Sequence, residues 1–249
     1  MLSPLSTGLF HRAISESGTA MALWAWPVDS LSIARRQAAF SGCNPEDSTY
    51  NIVACLRAKD GKAIIDAGDN FKFWSVDPLD VFGPAIEEGV DGFLRGHPLL
   101  LLKTGQFHRV PWITGVVSHE GLIRMAPIVT ESELREDLNR RMAVLAPRIF
   151  EINKSVTGAD EHVDYVWDRL LDFYVNGSTS LPARNADMGS TGMYGDRSFI
   201  HSFHKSVVLH QRAAHTGLFV YHLAYRGQYS FSSVFANNLE DLEKQPYQA

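Results

Sequence analysis

The stretch PWITGVVSHEG, residues 111–121, determines the fold class of this chain. Residues 111–117 form a short apolar run rich in β-branched side chains, which is typical of a strand buried inside a sheet. Glu120 follows this run and stands directly before Gly121. Open α/β sheets hold their functional groups in the loops after the carboxyl ends of the strands. The stretch therefore predicts a buried strand with a carboxylate just beyond its end.

Two further strands and a series of helical segments surround this stretch. We predict strands at 12–15 and 218–225. The predicted helical segments lie at 30–40, 48–57, just after Asp60-Gly61, 98–103, from Thr130 onward, 160–174 and 197–215. Because short strands alternate with long helical segments, the pattern indicates an α/β fold with a mostly parallel sheet. Few strands are found for a chain of 249 residues, so we expect further strands of the sheet to lie outside it.

Local signals refine three segments of this prediction. Thr130 and Glu133 form a Thr-x-x-Glu pattern, which is typical of the capping box at the start of a helix. Residues 177–195 are rich in Gly, Ser, Thr and Asn and therefore predict a loop. The polar tail from Arg226 is expected to be poorly ordered.

Length and charge set broad limits on the protein. A chain of 249 residues corresponds to one large domain or at most two. The net charge of −5 argues against sequence-independent binding to nucleic acid. The longest aliphatic run, Leu99–Leu102, is too short for a membrane span. Residues 1–6 have neither the basic nor the apolar region of a secretory signal peptide. We expect no cofactor and no metal.

The two cysteines, Cys43 and Cys55, have a spacing that fits no zinc or CxxC redox motif. A disulfide between them would stabilise the fold by about 3 kcal/mol in the chain-entropy description. Alternatively, they are two separate buried thiols. The spacing alone does not distinguish these alternatives.

An ordered series of short motifs runs along the chain up to about Phe231. The motifs are LSPLS at 2–6, GLFHRAI at 8–14, Ser17-Gly18, Trp24-Ala25, Gly42-Cys43, Cys55-Leu56-Arg57, Phe82-Gly83-Pro84, Pro98, Leu102, Gly105, Val110-Pro111, Gly115, Glu120-Gly121, Asp196–Phe199 and Phe219-Val220-Tyr221. In order and spacing this series resembles the carboxylesterase type B family, which includes cholinesterases, insect esterases and juvenile hormone esterases. The resemblance covers nearly the whole chain.

The resemblance implies a partial α/β-hydrolase fold for residues 1–249. They would form the C-terminal part of a mostly parallel sheet with long helical insertions. Residues 1–6 resemble the end of the helix that follows the nucleophile elbow in this family. The N-terminal strands, the elbow and the C-terminal histidine segment would then lie outside the chain. The resemblance also implies a Cys43–Cys55 disulfide, and hence a secreted or luminal parent protein.

The chemistry of this family needs a serine nucleophile, a histidine base and a carboxylate, in the chain order Ser, acid, His. The resemblance places Glu120 at the position of the acid. Composition alone favours a solvated loop carboxylate at Glu120, and the resemblance reverses that preference. Ser17 and Asp196 are candidates for supporting contacts around this site.

The nucleophile and the base are both missing from the expected positions. No Gly-x-Ser-x-Gly motif occurs in the chain, and the nearest imitation, ISESG at 14–18, lacks the first glycine. Ser17 within it is predicted to be a strand-end serine with a structural hydrogen bond. No histidine follows His222, which itself lies inside a predicted strand. We expect neither residue to be part of a triad.

Other histidines and aromatic residues suggest weaker alternatives. His201 and His204 have an HxxH spacing near His210, but without the glutamate of HExxH a polar helix face is the better interpretation. His119 is adjacent to Glu120 in sequence, and adjacent residues rarely orient toward each other productively. A group of aromatic residues could line an acyl pocket or belong to the core, and the core is the commoner case. These aromatic residues are Trp24, Trp26, Phe71, Phe73 and Trp74.

The sequence thus predicts a fragment of a carboxylic ester hydrolase whose substrate is a small-molecule ester. The parent would act through an acyl-enzyme, and the chain by itself is expected to be inactive because it lacks the nucleophile and the base. The alternative is a non-catalytic, cholinesterase-like adhesion or binding protein. Glu120 argues mildly against that alternative, because an adhesion protein has no chemical need for the acid.

Overall fold

The structure, a computed structural model, describes residues 1–26, 29–152, 161–178, 180, 187–225 and 232–236. The chain divides into two compact units, one of residues 1–22 and 96–249 and the other of residues 23–95. The first unit contains the sheet and the candidate site. The second unit contains the disulfide.

Across the described ranges, the sheet of the first unit has three parallel strands in the order β1-β2-β3. They are β1 (Ala13–Glu16), β2 (Trp112–Val117) and β3 (Leu218–Leu223). All three were predicted to within about two residues at each end. Because the strands are parallel, their carboxyl ends meet at the same edge of the sheet, and β2 is the central strand there. The α/β class predicted from the sequence is confirmed.

Helices make up a large part of the rest of the described chain. They are α1 (Ser30–Phe40), α2 (Thr49–Arg57), α3 (Gly61–Ala67), α4 (Pro98–Lys103), α5 (Leu122–Thr130), α6 (Ser132–Arg140), α7 (Met142–Ile149), α8 (Glu161–Val175), α9 (Asp187–Gly195), α10 (His201–Arg212) and α11 (Ser232–Phe235). A π-helical turn, Asp196–Ile200, joins α9 to α10. Short 3-10 turns occupy Pro4–Ser6, Leu23–Ala25 and Gly68–Phe71. Among the described residues, no helix is long and apolar enough to cross a bilayer.

The second unit is organised around the disulfide between Cys43 and Cys55, whose Cα atoms lie 6.1 Å apart. The bond links the segment after α1 to α2, and the buried side chains Ala38, Cys43 and Ile52 pack together beside it. The disulfide implied by the family resemblance is therefore present. Two of the aromatic residues considered for an acyl pocket, Phe71 and Trp74, are instead buried in this unit.

The capping box predicted at Thr130 is wrong. Thr130 is the last residue of α5, and its hydroxyl donates to the Ala126 carbonyl one turn earlier at 2.9 Å. The next helix, α6, begins at Ser132 without a side-chain cap. The prediction failed because the buried apolar helix α5, which contains Pro127, continues through Thr130. A threonine hydroxyl that bonds back to the preceding turn is not available to cap the following helix.

The loop predicted over 177–195 is wrong for its second half, where α9 spans Asp187–Gly195. Its small residues serve close packing rather than flexibility. A Cβ atom at Gly189 would lie 2.0 Å from the carbonyl oxygen of Tyr174, so α8 can approach α9 only because Gly189 has no side chain. The residues at 181–186 lie outside the described part of the chain.

The predicted disorder of the tail is wrong for residues 232–235, which form α11. Ala236, directly after α11, packs with Leu122 and Ala126 of α5 in a buried cluster. Burial of this apolar contact fixes the short helix against the core. The rest of the predicted tail, at 226–231 and 237–249, lies outside the described residues.

Candidate active site

Glu120 lies in the tight turn that follows the central strand β2. The N–H of Val117, the last residue of the strand, donates to Glu120 Oε1 at 2.8 Å. The side chain is only 8% exposed. The turn therefore folds the carboxylate back onto the end of its own strand, where the free N–H of the strand end fixes its position. A solvated loop carboxylate, the alternative from composition, does not fit this burial.

Ser17 follows β1, the strand next to β2, and lies near Glu120. Its N–H donates to the Gly115 carbonyl at 3.0 Å, which extends the β1–β2 pairing by one residue. Its φ of 53° then turns the chain sharply in the left-handed region. The Ser17 hydroxyl lies within hydrogen-bonding reach of the Glu120 carboxylate and acts to lower its pKa. The parallel sheet thus brings together two residues separated by a hundred positions in the sequence.

Burial dominates the electrostatics of Glu120. Loss of hydration raises the pKa of this carboxyl above its usual 4.5, and the hydrogen bonds from Val117 and Ser17 oppose that increase. Both bonds favour the ionised form, because each donates to the carboxylate. The site therefore holds a carboxylate that is poorly hydrated and fixed by two donors.

Helix α9 closes one side of this turn. A Cβ atom at Gly121 would lie 1.9 Å from the Thr191 carbonyl oxygen, and one at Gly195 would lie 3.6 Å from the Glu120 Cβ. Glycine at both positions permits the helix backbone to pack directly on the Glu120 turn. The glycines of α9 recur at 189, 192 and 195. That three-residue interval, typical of one helix face, is the sequence signal that could have identified α9 and its role.

A small cavity of about 70 Å³ lies between this turn and α9. It is lined by Val117, Ser118, His119, Glu120, Thr191, Gly192, Gly195, Asp196 and Ile200. Substrate pockets of proteins usually enclose roughly 300–1,000 Å³. The cavity can therefore hold water or part of one side chain, but it is too small for an ester substrate.

Asp196 lines the same cavity as Glu120 from the opposite side. It begins the π-helical turn after α9, is exposed, and accepts a hydrogen bond from the Tyr174 hydroxyl on α8 at 2.6 Å. Partial burial, together with this hydrogen bond and the charge of Asp196, raises the pKa of Tyr174 well above its usual value. The structure thus places Glu120, Ser17 and Asp196 in one region. Sequence reasoning missed Tyr174 and Thr191, because α9 was predicted to be a loop.

Two histidines, His119 and His222, lie near the carboxyl ends of β2 and β3. His222 is exposed on β3, and its Nε2 lies 3.4 Å from the Ser118 Oγ. Burial and the nearby His222 lower the pKa of His119. The hydrogen bonds to Glu120 described above come from a backbone N–H and a serine hydroxyl. These contacts pair the Glu120 carboxylate with Ser17 on the neighbouring strand.

The HxxH histidines lie at the start of α10. Partial burial lowers the pKa of His201, and the positive charges of Lys205 and Arg197 and the neighbouring His204 lower it further. Two cationic side chains beside an imidazole disfavour the binding of a metal cation. Within the described residues, no group of three or more His, Cys, Asp or Glu side chains is arranged to hold a metal ion.

Comparison of the sequence with known protein families identifies one that matches. The sequence model of the Carboxylesterase family matches residues 1–245. The chain belongs to the carboxylesterase family. The parallel sheet and its helices are accordingly part of the α/β-hydrolase fold of the carboxylesterases.

Several carboxylesterase relatives come from insects. The chain is 34% identical over 245 residues to juvenile hormone esterase of Tribolium castaneum, covering 95% of this chain and 41% of that protein. It is 32% identical over 237 residues to venom carboxylesterase-6 of Apis mellifera, covering 94% of this chain and 42% of that protein. It is 32% identical over 234 residues to a carboxylic ester hydrolase of Bombus ignitus, covering 94% and 40% respectively. The chain thus spans about two fifths of the length of these carboxylesterases.

Proposed function

We propose that this chain carries the acid-bearing part of a serine esterase, which hydrolyses small-molecule carboxylic esters through an acyl-enzyme. The observation that supports this most strongly is the buried Glu120 carboxylate, fixed at the carboxyl end of the central parallel strand by the Val117 N–H. In acyl transfer by a serine triad, such a carboxylate holds the histidine in the correct tautomer and stabilises its positive charge. The membership of the chain in the carboxylesterase family gives that carboxylate its chemical context.

The surroundings of Glu120 suit this role physically. A carboxylate that is held before the reaction begins needs no reorganisation when an imidazolium forms beside it. The Ser17 hydroxyl and the Val117 N–H limit its rotation and favour its ionised form. We assign Ser17 as a positioning residue for the acid. We assign Asp196, across the small cavity and bonded to Tyr174, as a further charge that influences the same region.

The same geometry supports our proposal that the chain by itself does not hydrolyse esters. The donors to Glu120 described above are the Val117 N–H and the Ser17 hydroxyl, and the sequence contains no Gly-x-Ser-x-Gly motif. The Ser17 hydroxyl faces the Glu120 carboxylate, whereas the nucleophile of a serine triad donates to an imidazole, so we do not assign Ser17 as the nucleophile. In a comparable triad, loss of the serine or the histidine costs on the order of a million-fold in turnover.

The activity of the isolated chain is measured with a p-nitrophenyl ester and a fluorophosphonate probe. We expect no hydrolysis above the buffer rate and no specific labelling of any serine. Stoichiometric labelling of one serine, mapped by mass spectrometry, would show that the chain assembles its own nucleophile and would refute this part of the proposal.

A chimera tests the role of Glu120 in catalysis. The aligned segment of the Tribolium castaneum juvenile hormone esterase is replaced by this chain, so that the remaining residues of that protein complete the fold. We expect the chimera to hydrolyse p-nitrophenyl acetate, and Glu120→Gln to lower kcat by on the order of 10⁴-fold. The exposed Glu133 on α6 provides the control, because Glu133→Gln should leave kcat unchanged.

The fold of the chimera decides how an inactive result is interpreted. Thermal melting and gel filtration establish whether the chimera is folded and monodisperse. A folded chimera without activity would contradict the esterase proposal and favour the non-catalytic adhesion alternative. An active chimera in which Glu120→Gln and Glu133→Gln behave alike would remove Glu120 from the mechanism.

We also infer that the protein to which this chain belongs is secreted or resides in a luminal compartment. The Cys43–Cys55 disulfide supports this, because disulfides form and persist in oxidising compartments and are rare in the cytosol. Quantifying free thiols in the protein purified from its source tests the inference. We expect no reactive thiol until a reductant is added.

A further inference from the structure

We propose that Asn176 is an attachment site for an N-linked glycan. Residues Asn176-Gly177-Ser178 match the acceptor pattern Asn-x-Ser/Thr, in which x is any residue except proline. The pattern alone is short and occurs often by chance. Its structural setting and the redox state of the cysteines provide the independent support.

Asn176 lies at the exposed C-terminal end of α8. Its backbone has a φ of 53° and that of Gly177 a φ of 73°, so the chain leaves the helix through a left-handed turn. The N–H groups of Gly177 and Ser178 donate to the Leu171 and Val175 carbonyls, both at 3.0 Å. Backbone hydrogen bonds therefore close the turn at the helix end. The Asn176 side chain is exposed to solvent, where a bulky glycan can be accommodated.

The compartment that attaches N-linked glycans also forms disulfides. Oligosaccharide is transferred to asparagine in the lumen of the endoplasmic reticulum, an oxidising environment. The Cys43–Cys55 disulfide lies in the other unit of the chain and is independent of the acceptor pattern. This step rests on the secreted or luminal location proposed above, which would take the chain through the compartment in which Asn176 is modified.

The surface next to Asn176 would benefit from a glycan. Phe173, three residues earlier on α8, is 78% exposed. An exposed aromatic ring of this size favours non-specific association, and a hydrated glycan nearby would hinder it. Asn176 is not among the residues that line the cavity beside Glu120.

A second acceptor pattern, Asn153-Lys154-Ser155, lies outside the described residues and must be separated from the first. The full chain is therefore expressed in a mammalian secretory cell line with a cleavable leader and with Asn153→Gln. Intact glycopeptides are then identified by mass spectrometry. Leader cleavage reports entry into the lumen whether or not the chain folds.

The variants separate glycosylation from other causes of a mass change. We expect most leader-cleaved chains to carry a glycan at Asn176, and Asn176→Gln and Ser178→Ala each to abolish it. Ser178→Thr is the matched control, because it keeps the acceptor pattern and should keep the glycan. Leader-cleaved chains that are unmodified at Asn176 would overturn the proposal, as would a glycan that persists after Ser178→Ala.

Discussion

At the residue scale, the main feature of the candidate site is the buried Glu120 carboxylate. The end of β2 and α9 bury Glu120, and the donors Val117 and Ser17 partly offset the cost of burying its ionised form. Such an arrangement costs stability, because burial penalises the charge. Proteins commonly accept that cost at positions needed for catalysis. The cost is therefore measurable as a pH-dependent stability difference.

We predict that Glu120→Gln raises the free energy of unfolding at pH 7. Because the folded-state pKa of Glu120 is raised, the folded chain binds more protons than the unfolded chain between pH 4.5 and that pKa. The contribution of Glu120 to stability is therefore lost as the pH rises through this window. Glutamine stays neutral, so the gain in the free energy of unfolding from Glu120→Gln should appear at pH 7 and disappear below pH 4.5.

Urea unfolding at pH 7 and pH 4, followed by tryptophan fluorescence at low protein concentration, measures this difference. Glu133→Gln, at an exposed position of α6, should show no comparable pH-dependent gain. An equal loss of stability at both pH values for Glu120→Gln would indicate that the side chain acts through packing and not through its charge.

At the element scale, the position of Glu120 could be predicted from the sequence, whereas its surroundings could not. The apolar run 112–117 and the polar residues after it suffice to place a carboxylate beyond a strand end. Helix α9 was missed because Gly, Ser and Thr are poor helix formers in isolation. It forms because its glycines permit backbone contact with α8 and with the Glu120 turn, and that contact is a property of the tertiary fold.

We predict that Gly121→Ala destabilises the first unit by about 3 kcal/mol, the upper part of the range for overpacked sites. The added Cβ would lie 1.9 Å from the Thr191 carbonyl oxygen, so α9 must shift. Gly121 has a φ of −65°, which alanine adopts freely, so steric overlap is the tested cause. Gly61→Ala is the control, because nothing lies within 4 Å of its Cβ position. Chemical denaturation of both variants should show a loss only for Gly121→Ala.

A pair of buried histidines gives α10 its own pH response. His215 Nε2 donates to the Val110 carbonyl at 2.7 Å, and the Nδ1 atoms of His210 and His215 lie 3.1 Å apart, so one of the two rings donates to the other. His210 packs against Phe107 and Trp112 at ring-centroid distances of 4.2 and 4.5 Å. Burial, together with His215 and the N-terminal amine, lowers the pKa of His210 to about 4.

We predict that the free energy of unfolding decreases as the pH falls from 6.5 toward 4. In this range His210 takes up a proton in the unfolded chain but not in the folded chain. Below that window the loss is complete, on the order of 2 kcal/mol after allowance for solvent screening. His210→Gln should flatten this part of the stability profile, and His204→Gln, at an exposed position of the same helix, should not. An unchanged profile for His210→Gln would exclude His210 as the source.

At the scale of the whole molecule, the sheet exposes apolar side chains on both of its outer strands. Ile14 on β1 is 66% exposed, and Phe219 and Val220 on β3 are 58% and 55% exposed. In the described part of the chain, β1 pairs with β2 alone and β3 likewise pairs with β2 alone. Unpaired strand edges with apolar side chains are sites of association between chains.

We predict that the isolated chain self-associates as its concentration rises. Light scattering across a concentration series should show increasing mass, and Ile14→Lys should shift that increase to higher concentration because a charge at a strand edge opposes pairing. Lys substitution at Tyr50, an exposed residue of the disulfide-containing unit, is the control and should have a smaller effect. A monodisperse monomer at every concentration would contradict the prediction.

The left-handed turn at Ser17 restricts which residues can occupy position 17. A hydroxyl is needed to reach the acid, yet threonine, the chemically nearest substitute, is branched at Cβ and tolerates a positive φ poorly. Glycine would relax the backbone but remove the donor. Variant libraries at position 17 should therefore recover serine far more often than threonine, an asymmetry that the chemistry of the two hydroxyl groups alone does not produce.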